Sequence, residues 1–385
     1  MPLSDPMPII RSLTSLPHRG TGTPQEQKAA DMIQTLLTQA GAQVERQGFQ
    51  TPKTYIPEVL WLTALIAAGL ITTPIFSWLS VGILAFCTLS AFLFFDWRYS
   101  PLGLLSPSVA SENIIGTRGS ATASTHLILM AHYDSAPVSL LYLPAMVKNF
   151  RSSLFINFFL IVAALLVSIL GVLHMGDPLV SWARWILALY FLIQGVLTAF
   201  DYIRHGYTNG ANDNATGTAA AMVTAMRLWE NPVPGLGVSV VLTGAEETGM
   251  SGSKHYFKKN ADTLSIENTL VVNFDSLGKG DLKIITKTGS LTTLVHANKL
   301  VDTAILTAEE EIRFHCIKTA SWHTGDFDTI WFARAGIPCL TLTAQDKNAA
   351  IPHLHRPEDV IENIDPLLTQ LAVDFAERVI RQIKP

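Results

Sequence analysis

The chain has 385 residues, of which 49% are hydrophobic and only 15% are charged, and its mean hydropathy is +0.31. Soluble domains carry about 25% charged residues, so part of this chain is expected to lie out of water. The net charge of −4 argues against a nucleic-acid partner. The three cysteines are too few for a disulfide framework and include no CxxC pair that could bind zinc.

The first predicted element is a helix that begins at Thr23–Glu26. This segment is a capping box with proline at the first helical position. Apolar residues then recur at helical spacing until Gly41, which predicts the end of the helix.

Three long apolar runs follow. Val59–Phe95 contains no charged residue and no histidine, and it is long enough for two helices joined at 72–74, since one membrane span needs about 20 residues. Ser152–Leu173 is also free of charge, and Leu179–Phe200 carries only Arg184. These runs predict four transmembrane helices arranged as two hairpins.

Buried helices of a large soluble core are the alternative interpretation. Core helices seldom run this long without a polar face, which favours the membrane. Trp182 and Trp185 flank Arg184 near the start of its helix. Aromatic residues beside a lone arginine are typical of anchoring at the membrane interface.

The two hairpins also predict the topology. Each hairpin returns to the side from which it started, so the rest of the chain lies on one face of the membrane. Five basic residues flank the spans on that face: Lys53, Arg98, Lys148, Arg151 and Arg204. The other face has at most three titratable residues: Arg184, His174 and Asp177. The positive-inside rule then predicts a multi-pass membrane protein whose main domain is cytoplasmic.

Outside the hairpins, predicted strands alternate with predicted helices, which implies a sheet covered on both faces. We therefore predict an α/β fold, a three-layer α/β/α sandwich with a mixed sheet, interrupted by two transmembrane hairpins. The α/β domain would comprise 1–57, 97–147 and 204–385, and the hairpins 58–96 and 148–203.

Five short segments place acids and histidines at the ends of predicted strands or in adjoining loops. They are Ala131–Ser135, Asn209–Gly217, Gly244–Gly249, Asn273–Ser276 and Pro352–Asp359. Open α/β sheets build their sites at this edge. We therefore expect the five segments to meet.

Each of these residues has an ordinary explanation when it is taken alone. Asp213 could cap a helix, Glu246 and Glu247 could be a solvated pair, and His132 and His355 could be structural. Brought together, however, such groups repel and desolvate one another unless a cation collects them. A mixture of His, Asp and Glu suits zinc with an open position for water.

In this order, the five segments resemble family 28 of the metallopeptidases, the co-catalytic two-zinc aminopeptidases. The resemblance covers about residues 9–52, 101–138 and 205–385. The Asp213–Gly217 turn together with the Glu246–Gly249 segment is the specific signature. The chain departs from the family at 328–329, where it has Asp-Thr instead of the frequent Asp-His.

The resemblance implies a zinc-peptidase fold and a site with two zinc ions per chain. Five metal ligands are implied: His132, Asp213, Glu247, Asp275 and His355. Asp213 would bridge both ions, His132 and Asp275 would complete one site, and Glu247 and His355 the other.

The resemblance also implies roles for two residues that do not bind metal. Glu246 would be the general base that takes a proton from the bridging water, and Asp134 would hydrogen-bond to His132 and fix its tautomer. His355 is preferred to His353 because it lies four residues before Asp359, as in the family pattern.

The predicted function is therefore a zinc-dependent aminopeptidase that acts on peptides and lies in the lipid bilayer. A glutaminyl-cyclase-like acyltransferase is one alternative, although its relatives use one zinc ion and usually lack the Asp213–Gly217 turn. A catalytically inactive receptor or scaffold is another, although such relatives typically lose ligands or the base. A transporter is disfavoured because the predicted spans contain no acidic residue.

Overall fold

The structure is a computed structural model that describes residues 5–119 and 123–383. The helices are α1 Met7–Thr14, α2 Pro24–Gln39, α3 Ile56–Thr72, α4 Ser77–Phe95, α5 Pro144–Val147, α6 Phe150–Leu173, α7 Pro178–Arg204, α8 Gly217–Glu230, α9 Ser251–Lys259, α10 Lys299–Glu310, α11 Ile330–Arg334 and α12 Pro366–Gln382. The strands are β1 Gln43–Pro52, β2 Ser108–Thr117, β3 Thr125–His132, β4 Leu236–Thr243, β5 Thr269–Phe274, β6 Asp281–Thr288, β7 Leu294–Val295, β8 Lys318–Ser321 and β9 Cys339–Gln345.

The strands form one mixed sheet in the order β1-β2-β4-β3-β5-β9-β6-β7, with β8 paired to β6. The four central strands β4, β3, β5 and β9 are parallel, and antiparallel pairs border them on both sides. Met130 of β3 lies opposite Val241 of β4 and Asn273 of β5. This register brings the carboxyl ends of the central strands to one edge of the sheet, as predicted.

Helices cover both faces of the sheet, so the predicted three-layer α/β/α architecture is confirmed. Successive side chains of β3 point to opposite faces, as in any strand. Leu129 packs in the larger core with residues of α2, α8 and α12, such as Ile33 and Phe375. Met130 packs in the smaller core with residues of α9 and α11, such as Tyr256 and Phe332.

The N-terminus of α2 has the predicted capping interaction, with one difference. The Thr23 hydroxyl accepts a hydrogen bond from the Glu26 N–H at 3.3 Å, as the capping box requires. The Glu26 carboxylate, however, accepts from the N–H of Gly22 at 2.6 Å rather than from that of Thr23. Gly41, at φ +80°, follows the end of the helix.

The long apolar runs form four helices in two hairpins, α3 with α4 and α6 with α7. The hairpins form a bundle in which α3 packs against α7 and α4 against α6. Three of these helices, α4, α6 and α7, are long and apolar enough to span a membrane, whereas α3 has 17 residues. In each of these three helices, at most 28% of the most apolar 18-residue stretch is buried. Their outer faces therefore expose large apolar side chains.

Arg184 lies inside this bundle rather than on its surface. It is 9% exposed, whereas the neighbouring Trp182 and Trp185 are 68% and 50% exposed. The guanidinium lies 5.6 Å from the ring centroid of Trp185. Only the two tryptophans therefore have the exposure of an interfacial anchor.

Hydrogen bonds join the ends of the apolar helices to the α/β domain. Next to α4, the Asp96 carboxylate accepts from the N–H of Thr292 at 3.1 Å, and its backbone carbonyl accepts from Arg334 at 2.6 Å. In the last turn of α7, the Asp201 carboxylate accepts from the Ser139 hydroxyl at 2.9 Å. The hairpins are therefore fixed to the edge of the sheet where the candidate site lies.

Candidate metal centre

Three predicted ligands form a first group at the carboxyl edge of the sheet. His132 ends β3, Asp275 directly follows β5, and Asp213 lies in the turn before α8. His132 Nε2 is 3.2 Å from Asp213 Oδ1 and 3.6 Å from Asp275 Oδ2. The three side chains are buried and offer ligand atoms within 4.8 Å of one another.

A second group shares Asp213 with the first. His355 Nε2 is 3.0 Å from Glu247 Oε2 and 3.4 Å from Asp213 Oδ2. Their ligand atoms again lie within 4.8 Å of one another. Asp213 therefore turns one carboxylate oxygen toward each histidine. The structure thus brings together all five residues that the family resemblance implies as ligands.

The turn that carries Asp213 is held by a buried carboxylate. Asp359 is 1% exposed and accepts hydrogen bonds from the backbone N–H groups of Asn212 at 2.6 Å and Asp213 at 3.1 Å. The spacing to Asp359 favoured His355 over His353 as the metal ligand, and the sequence predicted no other role for Asp359. The structure gives it a positioning role of its own.

Arg19 is a further positioning residue that the sequence analysis missed. Its guanidinium is fully buried and donates to the carbonyl groups of Tyr133 at 2.6 Å, Asn209 at 2.7 Å and Gly210 at 2.7 Å. Burial lowers the pKa of Arg19 to about 10, with Asp359 foremost among the carboxylates that oppose this shift. A lone arginine far from the five segments in sequence carries no motif that could have revealed this role.

Asp134 links His132 to the turn with the two glutamates. It is fully buried, and it accepts from the backbone N–H groups of Glu246 at 3.0 Å and Glu247 at 3.2 Å and from the Thr21 hydroxyl at 3.1 Å. Its Oδ1 lies 3.4 Å from His132 Nδ1, on the side of the imidazole away from the cluster. His132 Nδ1 has no hydrogen-bond partner in the described chain, so Asp134 holds the glutamate turn by hydrogen bonds and only contacts His132.

The adjacent glutamates both line the cavity but differ in their partners. Glu247 is buried against His355, whereas Glu246 is half-buried. With His132 the two glutamates form a third group whose ligand atoms lie within 4.8 Å of one another. Among the described residues, no hydrogen bond reaches the Glu246 carboxylate. One carboxylate of the pair is thus available to a molecule in the cavity.

The structure also shows where His353 and the Asp328-Thr329 pair lie relative to the cluster. His353 belongs to neither group, and no hydrogen bond reaches its ring nitrogens within the described chain. Thr329, where the family often has histidine, is buried with its hydroxyl 3.1 Å from that of Thr341, and it does not line the cavity. Asp328 is also buried and accepts from the Thr243 hydroxyl at 2.5 Å.

The electrostatics of the cluster fit a bound cation. Burial raises the pKa of Asp275 to about 7 and that of Glu247 to about 7, with the charge of Asp213 adding to both shifts. Burial opposes the charge on His355, but Glu247 and Asp213 outweigh it and raise the pKa of His355 to about 10. Glu247 Oε1 and His355 Nδ1 are buried without a hydrogen-bond partner. Two buried imidazoles and three buried carboxylates form a donor set that suits zinc.

A cavity opens beside the cluster, and the ends of the apolar helices form part of its wall. Tyr55 precedes α3, Trp97 follows α4, and Tyr142 lies in the segment before α6; all three line the cavity. The Tyr142 ring lies 4.1 Å from the ring of His355, centroid to centroid. The segments that flank the inserted hairpins thus contribute directly to the candidate site.

Residues 196–379 match the family described as Peptidase family M28. The match covers all of the site segments except the one that carries His132 and Asp134. The matched segment, just under half of the chain, is similar to the M28 peptidases. Aminopeptidase YwaD of Bacillus subtilis is 28% identical to this chain over 186 residues, which are 46% of the chain and 40% of that relative's length.

Solved structures of the same fold cover nearly all of this chain. A Zn-dependent exopeptidase from Parabacteroides distasonis is 15% identical with a TM-score of 0.59, over 99% of this chain and 98% of that one. A glutaminyl cyclase from Porphyromonas gingivalis is 14% identical with a TM-score of 0.58, over 98% and 97%. At such identities these similarities establish the α/β fold and leave the reaction to the chemistry of the site.

Proposed function

We propose that the protein is a zinc-dependent aminopeptidase that removes N-terminal residues from peptides. The observation that carries the proposal is a pair of ligand groups that share Asp213, with the unpartnered carboxylate of Glu246 beside them. The match of residues 196–379 to peptidase family M28 supports a peptide substrate.

In this proposal each ligand group holds one zinc ion. His132, Asp213 and Asp275 would bind the first ion, and Asp213, Glu247 and His355 the second. Zinc bound there would polarise the substrate carbonyl and lower the pKa of a water ligand. Asp134 would keep the His132 imidazole in the orientation that presents Nε2 to the metal.

The chain itself supplies the proton transfers. The Glu246 carboxylate faces the cavity and is free to accept a proton from the attacking water. The protonated glutamate would then donate that proton to the nitrogen of the leaving amine, so the carboxylate is regenerated in each turnover. Because Asp134 accepts from the Glu246 N–H, the base is fixed to the same buried group as His132.

The proposal is tested by a metal count on the purified protein together with a panel of aminoacyl anilides. We expect about two zinc ions per chain, hydrolysis of anilides with a free α-amine, no hydrolysis of their N-acetyl derivatives, and loss of activity after chelation that added zinc restores. Metal-independent hydrolysis would contradict the proposal. Cyclisation of glutaminyl substrates without hydrolysis of the other anilides would favour a glutaminyl cyclase, and two bound ions without any turnover would favour an inactive receptor or scaffold.

We further propose that the M28 domain is built from residues 1–57, 97–147 and 204–385, with hairpins 58–96 and 148–203 inserted in a lipid bilayer. All four apolar helices would span it, including the shorter α3, because α3 packs lengthwise against α7 in the bundle. The site would face the cytoplasm, since the basic residues that flank the spans lie mostly on its side.

A further inference from the structure

The cavity beside the cluster contains one acidic side chain that the proposed reaction does not use. Asp326 lies in the loop between β8 and α11 and is 8% exposed. Of the acids that line the cavity, it is the only one outside the two ligand groups and Glu246. No lysine or arginine of the described chain lines the cavity.

The Asp326 carboxylate has no cation bound to it within the described residues. Its Oδ1 accepts a hydrogen bond from the Phe327 N–H at 3.0 Å, and no basic side chain forms an ion pair with it. The Thr288 side chain also hydrogen-bonds to Asp326. Arg334 instead donates to the backbone carbonyls of Trp97 at 2.9 Å and Asp96 at 2.6 Å. A buried carboxylate in this position can accept a cation from a ligand.

The walls around Asp326 suit the long stem of a cationic side chain. Five aromatic residues line the cavity: Tyr55, Trp97, Tyr142, Trp322 and Phe327. Met250, Ile351 and Leu354 complete its apolar surface. Methylene groups of lysine and arginine pack well on such surfaces, and aromatic faces attract the charge at the end.

We propose that this cavity selects peptides whose first residue has a cationic side chain, with Asp326 as the residue that binds the charge. The proposal rests on the aminopeptidase function proposed above. Asp326 would determine specificity without taking part in bond cleavage.

The position of Asp326 favours the side chain over the α-amine as its partner. The α-amine and the scissile carbonyl share one carbon atom, so the amine must stay beside the metal cluster. Asp326 belongs to none of the groups whose ligand atoms lie within 4.8 Å of one another, and the adjacent Phe327 packs with Trp322, Ile351 and Leu354 in a separate apolar cluster. The carboxylate is therefore placed for a group that extends away from the cluster.

The test compares substrates that differ only in charge. Anilides of arginine and citrulline form one pair, and those of lysine and norleucine the other. We expect wild type to prefer the charged member by about 10- to 100-fold in kcat/KM, the range of a hydrogen-bonded charge. Asp326→Asn should bring both ratios close to 1. A ratio measured on one preparation does not depend on its folded fraction, so partial misfolding cannot mimic this result.

Asp262→Asn, at an exposed position outside the cavity, is the matched control and should keep the wild-type ratios. Wild-type ratios near 1, or ratios unchanged in Asp326→Asn, would overturn the proposal. An equal loss on charged and uncharged substrates would also overturn it, because Asp326 would then act on a group common to all of them.

A binding measurement separates this proposal from the proposed function. Calorimetric titration of metal-loaded Glu246→Gln with argininamide and citrullinamide should show tighter binding of argininamide, and the added Asp326→Asn change should abolish the difference. If no anilide were hydrolysed but this difference appeared, the aminopeptidase function would fail and the charge preference would stand. If the anilides were hydrolysed without any charge preference, the aminopeptidase function would stand and the charge preference would fail.

Discussion

At the scale of single residues, the two adjacent glutamates differ in what surrounds each carboxylate. Glu247 lies 3.0 Å from His355 Nε2 within a ligand group, whereas Glu246 faces the cavity without a hydrogen-bond partner in the described chain. The two residues sit in one short helical turn, Glu246–Thr248, and their carboxylates lie within 4.8 Å of each other beside His132. Our proposal assigns the metal-binding role to Glu247, which contacts His355, and the proton-transfer role to Glu246.

The first prediction concerns this separation. Glu246→Gln should reduce kcat by about 10²-fold or more, because the amide cannot accept the proton, while zinc stays near two ions per chain. Anilide hydrolysis and elemental analysis of the same sample measure both effects. Glu267→Gln, at a fully exposed position, is the control. Loss of zinc from Glu246→Gln, with retention in Glu247→Gln, would show that the two roles are reversed.

The second prediction compares two histidines that share a backbone conformation. His353 and His355 have φ values of +62° and +52°, which asparagine tolerates better than alanine. His355→Asn should lose most of the zinc of the second group and the activity that depends on it. His353→Asn should keep both, because its ring lies in neither ligand group. Equal zinc losses in the two variants would leave no support for His355 as the ligand.

At the scale of the secondary-structure elements, the start of α2 is tied to the sheet by a buried acid. Glu26 is 3% exposed and accepts from the Gly22 N–H and from the Ser111 hydroxyl, both at 2.6 Å. Burial, with the charge of Asp134 second, raises the pKa of Glu26 to about 8. The folded protein therefore binds this proton more tightly than the unfolded chain, in which glutamate titrates near 4.3.

The third prediction follows from the sign of that shift. The contribution of Glu26 to stability is complete below about pH 4.3 and is lost as the pH rises through about 8. Between pH 5 and 8.5, wild type should lose about 1 to 3 kcal/mol more of its unfolding free energy than Glu26→Gln. Thermal unfolding in detergent measures the difference, with Glu267→Gln as the control. Parallel curves for wild type and Glu26→Gln would contradict the prediction.

At the scale of the whole molecule, the bundle and the α/β domain share one boundary, and the candidate site lies at it. The Ser139 N–H donates to the carbonyl of His355 at 3.1 Å, and the Ser139 hydroxyl donates to Asp201 at 2.9 Å. Ser139 thus connects His355, a proposed zinc ligand, to the last turn of α7 through two hydrogen bonds. This arrangement places the site at the membrane surface if the bundle is embedded as proposed.

The fourth prediction tests on which side of the membrane the site lies. Cys316 is exposed in the α/β domain, whereas Cys87 and Cys339 are buried, so the native chain already contains one accessible thiol. In intact cells Cys316 should not react with an impermeant maleimide, because we propose that its domain is cytoplasmic. A cysteine at Met175, which is 72% exposed between α6 and α7, should react. The reverse pattern would place the site outside the cytoplasm.

The fifth prediction concerns what the bundle does for catalysis. An enzyme held at the bilayer surface meets membrane-associated peptides at a raised effective concentration, without any new contact in the cavity. A hydrophobic peptide and a short soluble peptide should therefore differ when each is assayed in liposomes and in detergent. Liposomes should raise kcat/KM by about 10-fold or more for the hydrophobic peptide alone. An equal response from both peptides would mean that the hairpins serve only as an anchor.

Local features of the sequence determined the elements and the candidate ligands. The apolar runs predicted four helices because a charge-free stretch of that length has few other stable environments. The Thr23–Glu26 segment predicted the start of α2, because its side chains satisfy N–H groups only a few positions away. Predicted strands ending near His132 and Asp275, together with the Asp213 turn before a helix, predicted the edge of the sheet that carries the site.

Contacts between distant segments were decided by the tertiary structure alone. Arg19 supports the turn of Asp213 across about half the chain, and Asp326 and Trp97 line one cavity only after the sheet has formed. The position of the two glutamates also depends on Asp134, which accepts from both of their N–H groups and lies in the segment after β3. Such contacts leave no periodic pattern in the sequence, because they depend on burial and on hydrogen bonds between residues that only the folded chain brings together.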